Sequence, residues 1–191
     1  MFARLWRPAI SLLALMTVFL GIVYPLMIAG AAKLAFPRQA EGSLIYRDGV
    51  LIGSALIGQS FSDPQHFWGR PSATAPQPYN GLASTGSNSG PFNPALLDAV
   101  KANAKALRDA DPDNHQPIPV DLVTASASGL DPDISPAAAQ YQAARVARAR
   151  HLELARVETL INAYVRERLF GLSGERRINV LELNLALDEM R

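Results

Sequence analysis

Asp109, Asp111 and Asp113 alternate along the chain with the spacing by which a calcium loop gathers hard oxygen ligands around one cation. The rest of such a loop is missing: Asn114 stands where the sharp turn needs glycine, and Val120 where a bidentate glutamate belongs. His66, His115 and His151 lack the paired spacing by which one helix face presents two imidazoles to zinc. Serines crowd residues 84–89 and 126–128, and a hydrolase would set one of them beside a base. Gly86-Ser87-Asn88-Ser89-Gly90 places serine wrongly for a nucleophile elbow, but Lys101 and Lys105 follow nearby, so a Ser87 or Ser126 nucleophile with a lysine base stays open. Gly/Ser-rich loops running into helices could offer N–H groups to phosphate, yet no Gly-x-x-x-x-Gly-Lys-Ser/Thr motif is present. Arg145, Arg148, Arg150 and Arg156 read as a solvated face, or else as a docking patch for an acidic partner.

These groups need elements to hold them, and the first element is apolar. Residues 8–32 run without a charged side chain, bounded by Arg4 and Arg7 before and Lys33 and Arg38 after. As a helix this run reaches roughly 37 Å, enough to cross a hydrocarbon core of about 30 Å. Ala29-Gly30-Ala31 resembles a signal cleavage site, but the run is too long for a signal core of about 7 to 15 residues, so a retained anchor is expected. Pro25 removes a helical hydrogen bond to the Gly21 carbonyl, which hints at a neighbouring helix. The short basic N-terminus is expected to stay in the cytoplasm while the larger part crosses.

The chain has no cysteine, so disulfides, thiolate nucleophiles and cysteine metal sites are excluded. With Arg4 and Arg7 set aside, 16 basic residues face 17 acidic ones, a balance that does not point to nucleic acid. Asp48-Gly49 between β-prone runs predicts a hairpin. Residues 61–94 are rich in Pro, Gly, Ser and Asn but also hold Phe61, Phe67, Trp68 and Tyr79, so they read as a long ordered loop. Asn93-Pro94 opens a helix to about Ala110, and Ser135-Pro136 opens another to about Arg150. Residues 120–125 read as a short strand, and a further helix from about Leu154 is closed by Gly171. Residues 178–187 are ambiguous, with Asn179 and Glu182 favouring a capped helix. The fold class expected is α+β: one N-terminal transmembrane helix and one mixed α/β extracytoplasmic domain.

Three blocks carry a resemblance: Gly58-Gln59-Ser60-Phe61 through His66-Phe67-Trp68-Gly69-Arg70-Pro71-Ser72-Ala73, Pro78-Tyr79-Asn80 through Gly86-Ser87-Asn88-Ser89-Gly90-Pro91-Phe92-Asn93-Pro94, and Asp121-Leu122-Val123-Thr124-Ala125-Ser126-Ala127-Ser128-Gly129-Leu130-Asp131-Pro132. Together with Arg145-Val146-Ala147-Arg148-Ala149-Arg150, Asn179-Val180-Leu181-Glu182-Leu183-Asn184-Leu185-Ala186-Leu187-Asp188 and the single anchor, they resemble the C-subunit family of the Kdp-type potassium-transporting P-type ATPases. Ala127 stands where that family usually has Gly, and Thr85 and Ser89 replace a common Gly and Leu. The resemblance implies a bacterial inner-membrane complex with a channel-like potassium-binding subunit, an ATP-hydrolysing subunit and a very small hydrophobic subunit. It implies an accessory subunit that raises the ATP affinity of the hydrolysing subunit, with its soluble domain over the channel subunit's outer mouth. ATP enters only through the family, with no site residue identified, and potassium would be handled by the partner. The Asp-Lys-Thr-Gly-Thr phosphorylation motif is absent from this sequence, so the chain is not the motor.

The expected organisation is a cytoplasmic N-terminus at 1–8, a transmembrane helix at 9–32 and a periplasmic domain at 33–191, anchored in the bilayer of the bacterial inner membrane. No catalytic or metal residue is assigned. The loops at 69–94 and 124–132 are the expected docking surface, with Arg70, Tyr79, Asn80, Ser87, Asn88, Asn93, Ser128 and Asp131 as its candidate residues. The alternatives are an anchored periplasmic serine hydrolase and a nucleotide-binding regulatory module.

Overall fold

The computed structural model describes residues 3–190; Met1 and Phe2, in the expected cytoplasmic N-terminus, and Arg191 lie outside it, as do the side chains of Ala3 and Arg4. The chain divides after Ile52 into two compact units.

In the first unit, helix α1 (Ala3–Val18) passes through a π-helical turn at Phe19–Val23 into α2 (Tyr24–Ala35). Leu5–Ala35 is thereby one continuous helix, long and apolar enough to cross a membrane, and none of its residues is buried. The π turn lies just before Pro25: the Tyr24 N–H reaches back to the Phe19 carbonyl. Widening the helix by one residue there eases the clash between the proline ring and the Gly21 carbonyl that an unbroken α-helix would force. A short helix, α3 (Pro37–Ala40), leads to strands β1 (Leu44–Arg47) and β2 (Val50–Ser54), the latter running across the division, and the two pair across Asp48-Gly49 as the turn chemistry predicts. Asp48 and Gly49 both take positive φ there, the conformation such a tight turn requires.

In the second unit, residues 61–93 form the expected long ordered loop, ending at helix α4 (Pro94–Ala110). The Asn93 side chain accepts from the Ala95 N–H and caps that helix. Strand β3 (Asp133–Ile134) precedes α5 (Pro136–Arg150), whose Ser135 cap accepts from the Ala138 N–H. Helix α6 (Leu154–Ala163), strand β4 (Ile178–Asn179) and α7 (Val180–Glu189) complete the unit. β3 and β4 are antiparallel, with Asp133 opposite Asn179 and Ile134 opposite Ile178. The ambiguity at 178–187 resolves as two strand residues followed by a helix, with Asn179 accepting from the Glu182 N–H.

The core lies among α5, α6, α7 and β4, where Val146, Val157, Ile161, Ile178, Leu183 and Leu187 are buried. Alanines at 138, 139, 143 and 147 form much of the buried face of α5, and small side chains let neighbouring backbone come close. Phe67 comes into this core from the irregular loop. Irregular backbone can be buried only if its polar groups find partners, and here side chains supply them. Asn184 accepts from the Phe67 N–H at 2.8 Å and donates to the Phe67 carbonyl at 2.9 Å. Gln142 does the same for Trp68, at 2.8 and 3.1 Å. Two carboxamides thus replace the strand that would otherwise pair with this segment.

Three sequence expectations need correction. Residues 120–125 form no strand: Val120–Leu122 is a 3-10 turn, closed by Thr124 donating from Oγ1 to the Val120 carbonyl at 2.7 Å. Leu122 and Val123 are both buried, so the turn delivers two consecutive side chains to the core. Gly171 does not close a helix. α6 stops at Ala163, where the Tyr164 N–H turns back to the Leu160 and Ile161 carbonyls, and Gly171 lies in the turn of a later hairpin. Finally, Arg145 does not belong to a solvated face. It is 5% exposed, stacks its guanidinium 4.6 Å from the Trp68 ring centroid and donates to the Pro64 and His66 carbonyls and to Gln142. Its planar fork of donors suits three acceptors at once, and burial lowers its pKa to about 10.

Candidate functional site

The loops at 69–94 and 124–132 interlock. Arg70 donates from Nη1 to Asp131 Oδ2 at 2.9 Å and from Nη2 to the Ala125 carbonyl at 3.4 Å, tying the start of the first loop to the second. Tyr79 folds its hydroxyl back onto the Arg70 carbonyl at 2.5 Å. Its ring closes over Gly58 and Gly69: a Cβ on Gly58 would stand 2.3 Å from Tyr79 Cε1, so only glycine fits. Burial, and then the Asp131 charge, push the Tyr79 phenol up to about 12 against the pull of Arg70, so it stays a neutral donor.

Ser72 and Thr74 act as internal pins. The Ser72 hydroxyl donates to the Gly129 carbonyl at 2.7 Å and accepts from the Tyr79 N–H at 2.9 Å. Thr74 donates to the Gln77 carbonyl at 2.7 Å and accepts from the Asn80 N–H at 3.0 Å. Asn80 closes the turn by donating to the Ala75 carbonyl and accepting from the Leu82 N–H. Farther along, the Thr85 N–H and the Ser84 hydroxyl both reach the Ser128 carbonyl at 3.0 Å. Gly129, at φ +66°, admits this crossing because a Cβ would stand 2.6 Å from both Thr74 Cγ2 and the Thr85 carbonyl oxygen.

Among the candidate residues, Arg70, Tyr79, Asn80, Ser128 and Asp131 therefore come together in one hydrogen-bonded assembly. Ser87 and Asn88 do not join it; they lie on an exposed arm, with Asn88 at positive φ. Asn93 is spent on capping α4. Ser72 and Thr74 were not singled out from the sequence, and their only local signal is the Ser-x-Thr spacing within a Pro-rich stretch.

The residues weighed for catalysis are dispersed. Ser126 is buried, with its hydroxyl 3.5 Å from Ser128. Lys101 and Lys105 are exposed on α4 and pair with Asp98 and Asp109 along their own helix. Asp111 is held by Arg148. His66 contacts Asp188 at 3.2 Å, His115 is exposed, and His151 ends α5 in a left-handed conformation. A cavity of about 290 Å³ adjoins the assembly, lined by Gln59, Trp68, Arg70, Tyr79 and Asn103 among others.

Residues 6–189 match the family described as KdpC: K+-transporting ATPase, c chain. The chain belongs to the KdpC family. Among its relatives, the potassium-transporting ATPase KdpC subunit of Dechloromonas aromatica is 60% identical over 186 residues, covering 97% of each chain. That of Variovorax paradoxus is 63% identical over 182 residues, covering 95% of this chain and 94% of the relative. That of Polaromonas naphthalenivorans is 62% identical over 185 residues, covering 97% and 94%. KdpC-level similarity thus takes in both the apolar helix and the interlocked loops, and it agrees with the resemblance carried by the sequence motifs.

Proposed function

We propose that this chain is the anchored accessory subunit of an ATP-driven potassium import complex. Its Leu5–Ala35 helix crosses the inner membrane, and its second unit lies on the extracytoplasmic side. The family match over nearly the whole chain carries the complex membership. The partners are a channel-like potassium-binding subunit, a P-type ATP-hydrolysing subunit and a small hydrophobic subunit. The chain contributes by coupling and not by chemistry of its own. The committed state of Ser126, Lys101, Lys105 and Asp111 supports that reading, since none is set up as a nucleophile and base.

The docking surface is formed by the loops at 69–94 and 124–132. What supports it is a division of labour: Arg70, Tyr79, Ser72 and Thr74 rigidify the base, while Ser87, Asn88 and the fully exposed Leu82 stand clear of it. A rigid scaffold carrying an exposed arm suits recognition of a preformed partner. ATP stays with the hydrolysing subunit in this reading.

The test is copurification in mild detergent with the other subunits. Ser87→Arg with Asn88→Arg is expected to abolish copurification and potassium-stimulated ATPase activity while the chain stays folded. Retention of both would remove these loops as the docking surface. Binding of ATP to the isolated chain by calorimetry would instead favour the nucleotide-binding module.

A further inference from the structure

The apolar surface of the first unit does not stop where the span ends. At the end of α2, Leu34 and Phe36 are exposed, and in the hairpin of β1 and β2 the exposure runs from 38% at Leu44 to 63% at Val50, with Tyr46 and Leu51 between. Strand alternation puts Leu44 and Tyr46 on one face, and Val50 and Leu51 carry the apolar surface on beyond the Asp48-Gly49 turn. Two short strands are marginal by themselves in water, and apolar side chains left in solvent add nothing to their stability.

What lies against this surface is set by its tether to the span. The connecting chain is short and pinned at each step: the Phe36 N–H donates to the Ala32 carbonyl at 2.7 Å, the Ala40 N–H to the Phe36 carbonyl at 2.9 Å, and the Ser43 N–H to the Arg38 carbonyl at 2.8 Å. Each bond holds its partners within about one helical turn, so β1 starts within about 20 Å of Ala35. Residues 44–52 fall in the same compact unit as the span. The 31 residues of Leu5–Ala35 measure about 46 Å as a helix, against a hydrocarbon core of about 30 Å. The ends of the span therefore stand in the headgroup layers, and Lys33 in its last turn marks that level. Phe36, at φ −140° and ψ 61°, breaks the helical course there, so α3 leaves the axis of the span at headgroup depth. Tyr46, with an apolar ring and a polar tip, is a side chain that this layer favours. Lys33, Arg38 and Arg47 outnumber Glu41 and Asp48 by one, a balance that suits lipid phosphates. A protein partner would have to displace lipid that the tether has already brought to this face.

We infer that the hairpin of β1 and β2 is an interfacial foot, whose Leu44, Tyr46, Val50 and Leu51 rest in the headgroup layer of the leaflet where the span ends. The occupant of this face is lipid, both in the chain alone and in the assembled complex. The inference rests on the membrane crossing of Leu5–Ala35 proposed above but concerns residues outside both the span and the loops at 69–94 and 124–132. Its consequence is that the chain leaves the membrane at the hairpin and not at Ala35.

Because the chain has no cysteine, a single Val50→Cys substitution gives a unique attachment point for a nitroxide. Leu13→Cys, in the span, and Lys101→Cys, exposed on α4, supply the lipid and water references. In the full chain in nanodiscs of mixed zwitterionic and anionic phospholipid, the ratio of oxygen to water-soluble nickel-chelate accessibility at Val50→Cys is expected to exceed that at Lys101→Cys several-fold. The same ratio is expected in the assembled complex. Free nickel access at Val50→Cys would put the hairpin in water and overturn the inference. Shielding from both reagents in the chain alone would give the face to a second copy, and shielding from both only in the complex would give it to a partner subunit; either overturns it. Adding Tyr46→Asp with Leu51→Asp should turn the Val50→Cys label towards nickel while thermal unfolding of the second unit stays as in wild type, and unchanged oxygen access in that variant would also overturn the inference. A Leu13→Cys label outside lipid would remove the membrane crossing itself, whereas lipid at Leu13→Cys with water at Val50→Cys removes the foot alone.

Discussion

Gln142 and Asn184 each satisfy a donor and an acceptor on the buried backbone of Trp68 and Phe67. Replacing either by leucine keeps the volume roughly but leaves a peptide N–H and carbonyl without partners. A buried unsatisfied group costs about 1–3 kcal/mol, so each variant is expected to lose about 2–5 kcal/mol in denaturant unfolding of the full chain in detergent; a loss under about 1 kcal/mol would show the clamp to be dispensable. Asp188 makes a different, pH-dependent contribution. Burial pushes its carboxyl up, but the Arg150 hydrogen bond and charge, and then His66, hold it below its ordinary 3.8. A depressed carboxylate stabilises the fold above its unfolded value, and that stabilisation is lost as pH falls through the folded one. Asp188→Asn should therefore be most destabilising near neutrality, with the gap to wild type narrowing below about pH 4. A gap unchanged down to about pH 2 would contradict this assignment. Asp133 has the opposite sign: burial raises it despite Arg177, so ionising it costs stability as pH rises through the window above its ordinary 3.8. Asp133→Asn is expected to be milder at pH 7 than Asp188→Asn.

At the scale of elements, the capped helices were legible because their signals are local. Asn93-Pro94, Ser135-Pro136 and Asn179 with Glu182 each start a helix where their chemistry says one should, and Asp48-Gly49 turns the hairpin. Asn93→Ala is expected to cost about 1 kcal/mol in thermal unfolding, since Asn93 satisfies a helix N–H that alanine cannot reach; no measurable change would mean that solvent serves Ala95 as well. The docking role assigned to Asn93 would survive that loss only through an added defect in copurification. What stayed hidden depends on partners distant in sequence. Residues 120–125 have the composition of a strand, but the core takes Leu122 and Val123 side by side. Arg145 looks like its solvated neighbours Arg148 and Arg156 until the carbonyls of Pro64 and His66 come within reach. The pairing of Arg70 with Asp131 spans 61 positions, and no periodicity records it. The hairpin at 166–177 was hidden because Gly171 reads equally as a helix stop or a hairpin turn.

For the molecule as a whole, the anchor is the part whose structure goes furthest beyond its minimal task. A tether needs only length and apolarity, and an uninterrupted run of leucine would supply both. This span instead contains Pro25, the π turn at Phe19–Val23 and Gly21 one turn before the proline. Each weakens or widens a helix that lipid alone would leave straight, and in membranes such irregular backbone is tolerated where a neighbouring helix covers it. Glycine at a helix surface also lets another backbone approach closely. The span is therefore expected to take part in assembly. Exchanging residues 8–32 for an unrelated single-pass helix of equal length should leave membrane insertion and the thermal unfolding of the second unit unchanged, yet weaken copurification and potassium-stimulated ATPase activity several-fold. Restoring Pro25 and the five residues of the π turn, Gly21 among them, within the foreign helix should recover part of both. Full assembly with the foreign span would reduce the anchor to a tether and leave recognition to the loops at 69–94 and 124–132.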